Sequence, residues 1–144
     1  MPADGKVFVD TNVWVYAHLQ APGDARHSLA LQRLRSEPDI VISPQVVAEY
    51  YSVMLRNGQP DDWIQGNLQA MFACSRLQPA DAGMLATALT IRQRYGFSFW
   101  DCQIVAAALT AGCDTLLTED LQHGQRLEGR LTIINPFQRT PLDN

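Results

Sequence analysis

The ordered part of the chain opens with Lys6-Val-Phe-Val-Asp10, and Thr11-Asn-Val-Trp14 follows without a break. The first run is short, β-branched and aromatic, which predicts a buried strand. From 11 to 19 the apolar residues recur at helical spacing, which predicts a helix. A strand that passes directly into a helix must return by a crossover, so this stretch indicates a parallel sheet.

The same alternation of strands and helices continues along the rest of the chain. Ser43 followed by Pro44 is typical of a helix start. We predict helices over 25–36, 44–57, 62–74, 79–95 and 98–111, a short strand near Leu77, and strands over 39–43, 114–118 and 131–134. Such a chain forms one three-layer α/β/α domain around a mostly parallel sheet. We place this domain at 1–137, with a polar tail at 138–144.

Composition excludes several other classes of protein. The chain has 144 residues, of which 47% are hydrophobic and 18% charged, the profile of a soluble globular domain rather than a disordered chain. No apolar run approaches the roughly 20 residues that span a bilayer. The first ten residues lack a secretory signal pattern, so we expect a cytoplasmic protein. We expect the three cysteines to be reduced and structural.

The charge balance bears on possible partners. Eleven Lys and Arg residues against fifteen Asp and Glu give a net charge of −4, and Lys6 is the single lysine. A protein that holds nucleic acid by neutralising phosphates is normally basic. If this chain handles nucleic acid, another source must supply positive potential.

Acidic residues follow the predicted strands at one edge of the sheet. Asp10 ends the first strand, and Glu119-Asp120 follows the strand at 114–118. Glu49 and Asp101 belong to helices whose first turns should face the same edge. Ligands of open α/β sheets bind at this carboxyl edge, so these acids are the candidate site residues.

Each acid also has a simpler explanation. Asp10 is a favourable helix N-cap, and Ser98-Phe-Trp-Asp101 fits the capping-box pattern. Asp120 fits an ordinary turn, and Glu49 fits a solvated helix position. Capping does not explain, however, why several acids converge on one edge with no cationic partner nearby.

Converging carboxylates raise one another's pKa and oppose folding unless a cation lies between them. Their neighbours in the sequence are neutral hydrogen-bonding residues, Thr11, Asn12, Ser98 and Thr118. Hard oxygen ligands without histidine or cysteine favour Mg²⁺ or Mn²⁺ over zinc. A bound cation of this kind would activate water for phosphodiester hydrolysis and supply the positive potential that the chain lacks.

These acids lie in motifs that resemble a known family. The motifs are Val7-Phe-Val-Asp10-Thr11-Asn12-Val13, then Glu49 after Ile42-Ser43-Pro44, then Phe99-Trp-Asp101-Cys-Gln-Ile-Val-Ala-Ala-Ala108, and finally Leu116-Leu-Thr118-Glu119-Asp120. Their order and separation resemble those of PIN-domain ribonucleases, in particular the VapC-type toxins of bacterial toxin–antitoxin pairs. The resemblance extends from Lys6 to about Pro136.

The resemblance implies a PIN-like fold and a Mg²⁺- or Mn²⁺-dependent endoribonuclease that leaves 5′-phosphate and 3′-hydroxyl ends. It implies that Asp10, Glu49, Asp101 and Asp120 form the metal site, with Asp10 and Asp101 as the most direct ligands. Thr11, Asn12 and Thr118 would orient them. It further implies a homodimer and a cognate antitoxin that covers the groove. Glu119 could share or replace the role of Asp120.

Two other classes of function stay open at this point. A non-catalytic module could use the same groove to bind RNA or a protein without metal. A phosphotransfer domain would need a lysine beside its aspartate, and Lys6 precedes the first strand at the far end. Neither the arginines nor the aromatic residues indicate which of them would contact RNA.

Overall fold

The computed structural model describes residues 5–138. Its strands are β1 (Val7–Val9), β2 (Ile40–Ile42), β3 (Arg76–Leu77), β4 (Thr115–Leu117), β5 (Arg126–Leu127) and β6 (Leu131–Ile134). Its helices are α1 (Thr11–His18), α2 (Arg26–Ser36), α3 (Pro44–Arg56), α4 (Asp61–Cys74), α5 (Ala82–Tyr95) and α6 (Phe99–Thr110).

The strands form one sheet in the order β3-β2-β1-β4-β6-β5. All neighbouring pairs are parallel except β5 with β6. The predicted α/β class with a mostly parallel sheet is therefore confirmed. Val9 lies opposite Leu117 in the register of β1 and β4. The residues that follow these two strands, Asp10 and Thr118, therefore leave the sheet side by side.

The core lies on both faces of the central strands. Every residue of β1 and β2 is buried, as expected for parallel strands covered by helices on both sides. Helix α6 is buried around most of its circumference, from Cys102 to Leu109 except Gln103. Tyr50 and Met54 anchor α3 to the same core. This packing holds the starts of α1, α3 and α6 rigidly near the carboxyl edge of the sheet.

Two elements differ from the sequence-based prediction. Helix α5 begins at Ala82 rather than at 79, because Asp81 caps it and accepts a hydrogen bond of 2.9 Å from the Met84 amide. Strand β5 is absent from the sequence-based prediction, and its two residues are held in the sheet by pairing with β6. It pairs antiparallel with β6 across a turn in which Glu128 (φ 53°) and Gly129 (φ 67°) are both left-handed.

The cysteines divide between core and surface. Cys102 and Cys113 are buried, which matches a structural role. Cys74 is exposed at the end of α4, so the expectation that all three are structural is wrong for this residue. The apolar face of α4 is carried instead by Ile64, Leu68 and Met71.

The ends of the predicted domain extend beyond the described part of the chain. Residues 1–4 at its start, and 139–144 of the predicted polar tail, lie outside the described residues. Within residues 5–138, no helix combines the length and apolar character required to cross a membrane.

Candidate active site

Asp10 is the most deeply buried of the four predicted acids, with 5% of its surface exposed. It is the N-cap of α1, as the capping explanation predicts. Its Oδ1 accepts a hydrogen bond of 2.7 Å from the Thr11 amide, and its Oδ2 accepts one of 2.9 Å from the Thr118 hydroxyl. Burial raises the pKa of Asp10 to about 7, against the opposing effect of these hydrogen bonds.

Glu49 is brought to Asp10 by the packing of α3 against α1. The Thr11 hydroxyl donates a hydrogen bond of 2.8 Å to Glu49 Oε1. The Gln45 amide donates to Glu49 Oε2 at 3.2 Å and to the Trp100 carbonyl at 3.1 Å. Thr11 therefore contacts both carboxylates, through its backbone and its side chain. Glu49 is held by specific partners, which the interpretation as a solvated glutamate does not explain.

Asp120 follows β4 in a turn that Thr118 stabilises. The Thr118 hydroxyl accepts a hydrogen bond of 3.1 Å from the Asp120 amide while it donates to Asp10. The neighbouring Glu119 has a different environment, since its Oε1 accepts a hydrogen bond of 3.3 Å from the Tyr16 hydroxyl. Asp120 lines the cleft beside Asp10, whereas Glu119 is directed toward Tyr16.

Asp101 lies in the first turn of α6, as its position after Ser98 predicts. Ser98 caps this helix and accepts a hydrogen bond of 3.2 Å from the Asp101 amide. Burial raises the pKa of Asp101, and the charge of Glu49 raises it further, while a hydrogen bond with Ser98 lowers it. The Asp101 amide therefore takes part in the cap of α6, and the pKa of its side chain is raised by the charge of Glu49.

The four acids form one electrostatically coupled group. Burial is the largest cause of the raised pKa of Asp120, followed by the charges of Asp101, Glu119 and Glu49. Asp10 in turn is affected by Asp120 and Glu49. The ion pairs of residues 5–138 lie elsewhere and involve none of these four acids. The cluster thus carries a charge that no arginine or lysine side chain of this region neutralises by direct pairing.

The donor chemistry of this group fits a hard divalent cation, because every candidate ligand is a carboxylate oxygen. In the part of the chain that the structure describes, no three acidic, histidine or cysteine side chains form a ready-made metal cluster. Hydrogen bonds join Asp10 to the Thr118 hydroxyl and Glu49 to the Thr11 hydroxyl.

A cleft of about 470 Å³ opens in front of these residues. Three predicted acids, Asp10, Glu49 and Asp120, line it together with Thr11 and Asn12. Its wall also contains residues that the sequence did not single out as site residues, namely Ala48, Ser52, Val53, Arg56 and Trp100. Ser52, Val53 and Arg56 follow Glu49 at helical spacing along α3, which is a signal that the sequence contains. Trp100 directly precedes Asp101.

Fold and site together define a class: a parallel α/β domain whose carboxyl edge carries coupled acids in an open cleft. The family model described as PIN domain matches residues 7–126. The chain therefore belongs to the PIN domain family. No curated protein matches the chain at a significant level.

Solved structures of similar fold have low sequence identity. VapC20 of Mycobacterium tuberculosis, described as a sarcin-ricin loop cleaving toxin, is 22% identical with a TM-score of 0.65, covering 79% of this chain and 91% of that one. A toxin–antitoxin complex from Klebsiella pneumoniae is 16% identical with a TM-score of 0.70, and the match covers 92% of this chain and 99% of that one. VapBC2 of Rickettsia felis, bound to a promoter DNA fragment, is 18% identical with a TM-score of 0.64, and the match covers 90% of this chain and 99% of that one. These likenesses establish the fold.

Proposed function

We propose that this PIN domain is a divalent-metal-dependent endoribonuclease and acts as the toxin of a toxin–antitoxin pair. The observation that carries the proposal is the coupled acidic group at the carboxyl edge of the sheet, whose most buried member has a pKa of about 7. Burial of an unpaired carboxylate is costly, and a functional site is a common reason for such a cost.

Asp10, Glu49, Asp101 and Asp120 would hold Mg²⁺ or Mn²⁺, with Asp10 and Asp101 as the most direct ligands. The chemistry that a bound divalent cation supplies is polarisation of the phosphoryl group, easier formation of hydroxide from water, and stabilisation of the leaving oxygen. Because Asp10 must lose its proton to become a ligand, we expect metal affinity to rise with pH up to about 7.

The chain's own residues position these carboxylates. Thr118 fixes one oxygen of Asp10 and the turn that presents Asp120. Thr11 fixes the other oxygen of Asp10 through its amide and Glu49 through its hydroxyl. Asn12 lines the same cleft and can hydrogen-bond water or a phosphate oxygen. In the reaction, water oxygen bonds to phosphorus and the bond to the 3′ oxygen breaks, which leaves 5′-phosphate and 3′-hydroxyl ends.

The proposed partners are RNA, a cognate antitoxin that covers the cleft, and a second copy of the chain. Two structural neighbours are complexes of a toxin with its antitoxin, which supports the second of these. Leu85 and Leu89 of α5 are 40% and 56% exposed, which is compatible with a homodimer. Light scattering of the purified protein tests the dimer directly. We also propose a cytoplasmic location, where the antitoxin and the RNA substrate would be present.

The rival function is a non-catalytic module that binds RNA or protein in the same cleft. It predicts that binding survives both chelation and removal of the acids. The nuclease hypothesis predicts that cleavage is lost both on chelation and on removal of the acids.

The deciding experiment incubates the purified protein with single-stranded RNA in Mg²⁺, in Mn²⁺ and in EDTA. Cleavage in either metal, its loss in EDTA, and 5′-phosphate ends on the products are the expected results. Asp10→Asn and Asp101→Asn should abolish cleavage with the circular dichroism spectrum unchanged. Asp61→Asn removes an exposed acid from the first turn of α4 and serves as the matched control. Cleavage that persists in EDTA or in the Asp10 variant would refute the proposal.

A further inference from the structure

One face of α3 forms a wall of the cleft along much of the length of this helix. Glu49, Ser52, Val53 and Arg56 line the cleft, and Gln45 hydrogen-bonds Glu49 one turn earlier. We call these five residues the cleft face of α3. Gln45 and Arg56 are separated by about 16 Å of helix rise, which is long enough to follow several nucleotides of a single strand. Glu49 lies between these two ends.

Trp100 lies at the Gln45 end of this face. It lines the cleft, and 66% of its surface is exposed, the largest exposed fraction among the large hydrophobic residues described. The Gln45 amide donates a hydrogen bond to the Trp100 carbonyl and another to Glu49, which fixes the backbone of Trp100 beside an acid of the site. An exposed aromatic ring on a rigid backbone is the platform on which proteins stack unpaired bases.

Arg56 lies at the other end, two helical turns beyond Glu49 and about 10 Å along the axis. Four other arginines, Arg26, Arg33, Arg76 and Arg94, are paired with carboxylates. Arg56 lines the acidic cleft, and no carboxylate of residues 5–138 lies within ion-pair distance of it. A guanidinium placed in this way is available to a phosphate.

We infer that the cleft face of α3, together with Trp100, is a binding track for single-stranded RNA, in which Trp100 stacks a base and Arg56 contacts a phosphate on opposite sides of Glu49. The inference rests on the proposed ribonuclease function and adds which residues bind the substrate. In a chain with a net charge of −4, non-specific attraction to phosphates is weak. Two directed contacts therefore carry a large share of the affinity.

The test measures binding of a 5′-labelled single-stranded RNA hexamer by fluorescence anisotropy in Mg²⁺, in the Asp10→Asn background so that RNA is not consumed. Hexamers with an abasic ribose at each position in turn locate the stacked base. One abasic position should weaken binding about tenfold. Trp100→Ala should weaken binding of the intact hexamer by a similar factor and abolish the effect of that abasic position. Trp100→Phe retains a ring and should restore most of the affinity.

Arg56→Ala should weaken binding at low salt and reduce the slope of log affinity against log salt by about one. Arg56→Lys should restore the slope. Arg35→Ala removes an equal charge from the exposed face of α2, and Phe72→Ala removes an exposed aromatic side chain from α4. Both controls should bind as the parent does. All variants should have the same Tm in thermal unfolding, which shows that any loss of binding comes from a lost contact and not from a lost fold.

Three results would overturn the inference: no binding of the hexamer to the parent, equal binding by parent and both alanine variants, or a Trp100→Ala loss that is the same at every abasic position. Weaker binding of the antitoxin alone, with RNA binding unchanged, would assign the two residues to that partner instead. In the active protein, Trp100→Ala should raise KM with little change in kcat, as expected when ground-state binding is lost. Failure of the wild-type protein to cleave any RNA refutes the proposed function. The binding experiment still shows whether the cleft face of α3 and Trp100 bind RNA.

Discussion

Replacing Asp10 by Asn should stabilise the metal-free protein at neutral and higher pH. The buried carboxyl has its pKa raised from 3.8 to about 7, a shift of about three units. At about 1.4 kcal/mol per unit, ionising Asp10 in the folded protein costs about 4 kcal/mol more than in the unfolded chain. The side chain is only 5% exposed, so solvent screens little of this cost.

The pH dependence follows from the two protonation states. The unfolded chain releases the Asp10 proton near pH 4, whereas the folded protein keeps it until about pH 7. Between these values the folded state binds more protons, so this residue's contribution to stability falls as pH rises. Below about pH 4 the penalty is absent, and above about pH 7 it is complete.

Asn has the same shape and can accept from the Thr11 amide and donate to the Thr118 hydroxyl. Rearranging the Thr118 contact costs about 1 kcal/mol. We therefore expect Asp10→Asn to be more stable than wild type by about 3 kcal/mol at pH 8 in EDTA, and to be slightly less stable than wild type at about pH 4, where only the cost of the Thr118 contact remains. Urea unfolding followed by circular dichroism at pH 4, 6 and 8 measures the difference. A difference that does not vary with pH, or a less stable variant at pH 8, would refute the reasoning.

The remaining predictions concern the other members of the site. Thr118→Val removes the donor to Asp10 and the acceptor for Asp120, and should destabilise the protein by about 1–3 kcal/mol in urea unfolding; a change below about 0.5 kcal/mol would contradict the role assigned to this hydroxyl. Millimolar Mg²⁺ should raise the Tm of wild type at pH 7.5 and leave that of Asp101→Asn unchanged, and an equal shift in both would exclude Asp101 as a ligand. Asp120→Asn should lose cleavage, whereas Glu119→Gln should retain it, because Glu119 is directed toward Tyr16; the reverse result would exchange their roles.

Local sequence was enough to predict the fold class and most of the elements. The run Val7–Val9 is β-branched and aromatic, and the helix that follows it has apolar residues at helical spacing. The helix starts after Ser43 and Ser98 can be predicted because capping uses residues that are close in the chain. Strand β5 could not be predicted, since its two residues pair only because β6 lies beside them. Asp10 and Asp120 could be proposed from their positions after strands, and Glu49 and Asp101 from helices whose starts face the same edge, although no short-range pattern distinguishes a ligand from a cap.

The composition of the site was therefore determined by the sequence, and its arrangement by the tertiary structure. The hydrogen bond from Thr118 to Asp10 joins residues 108 positions apart, and that from Thr11 to Glu49 joins residues 38 positions apart. Which arginine lines the cleft, and how exposed Trp100 is, likewise depend on the packing of α3 and α6 rather than on their own periods. Periodicity and capping act over a few residues, whereas burial and electrostatic coupling depend on groups that only the folded chain brings together.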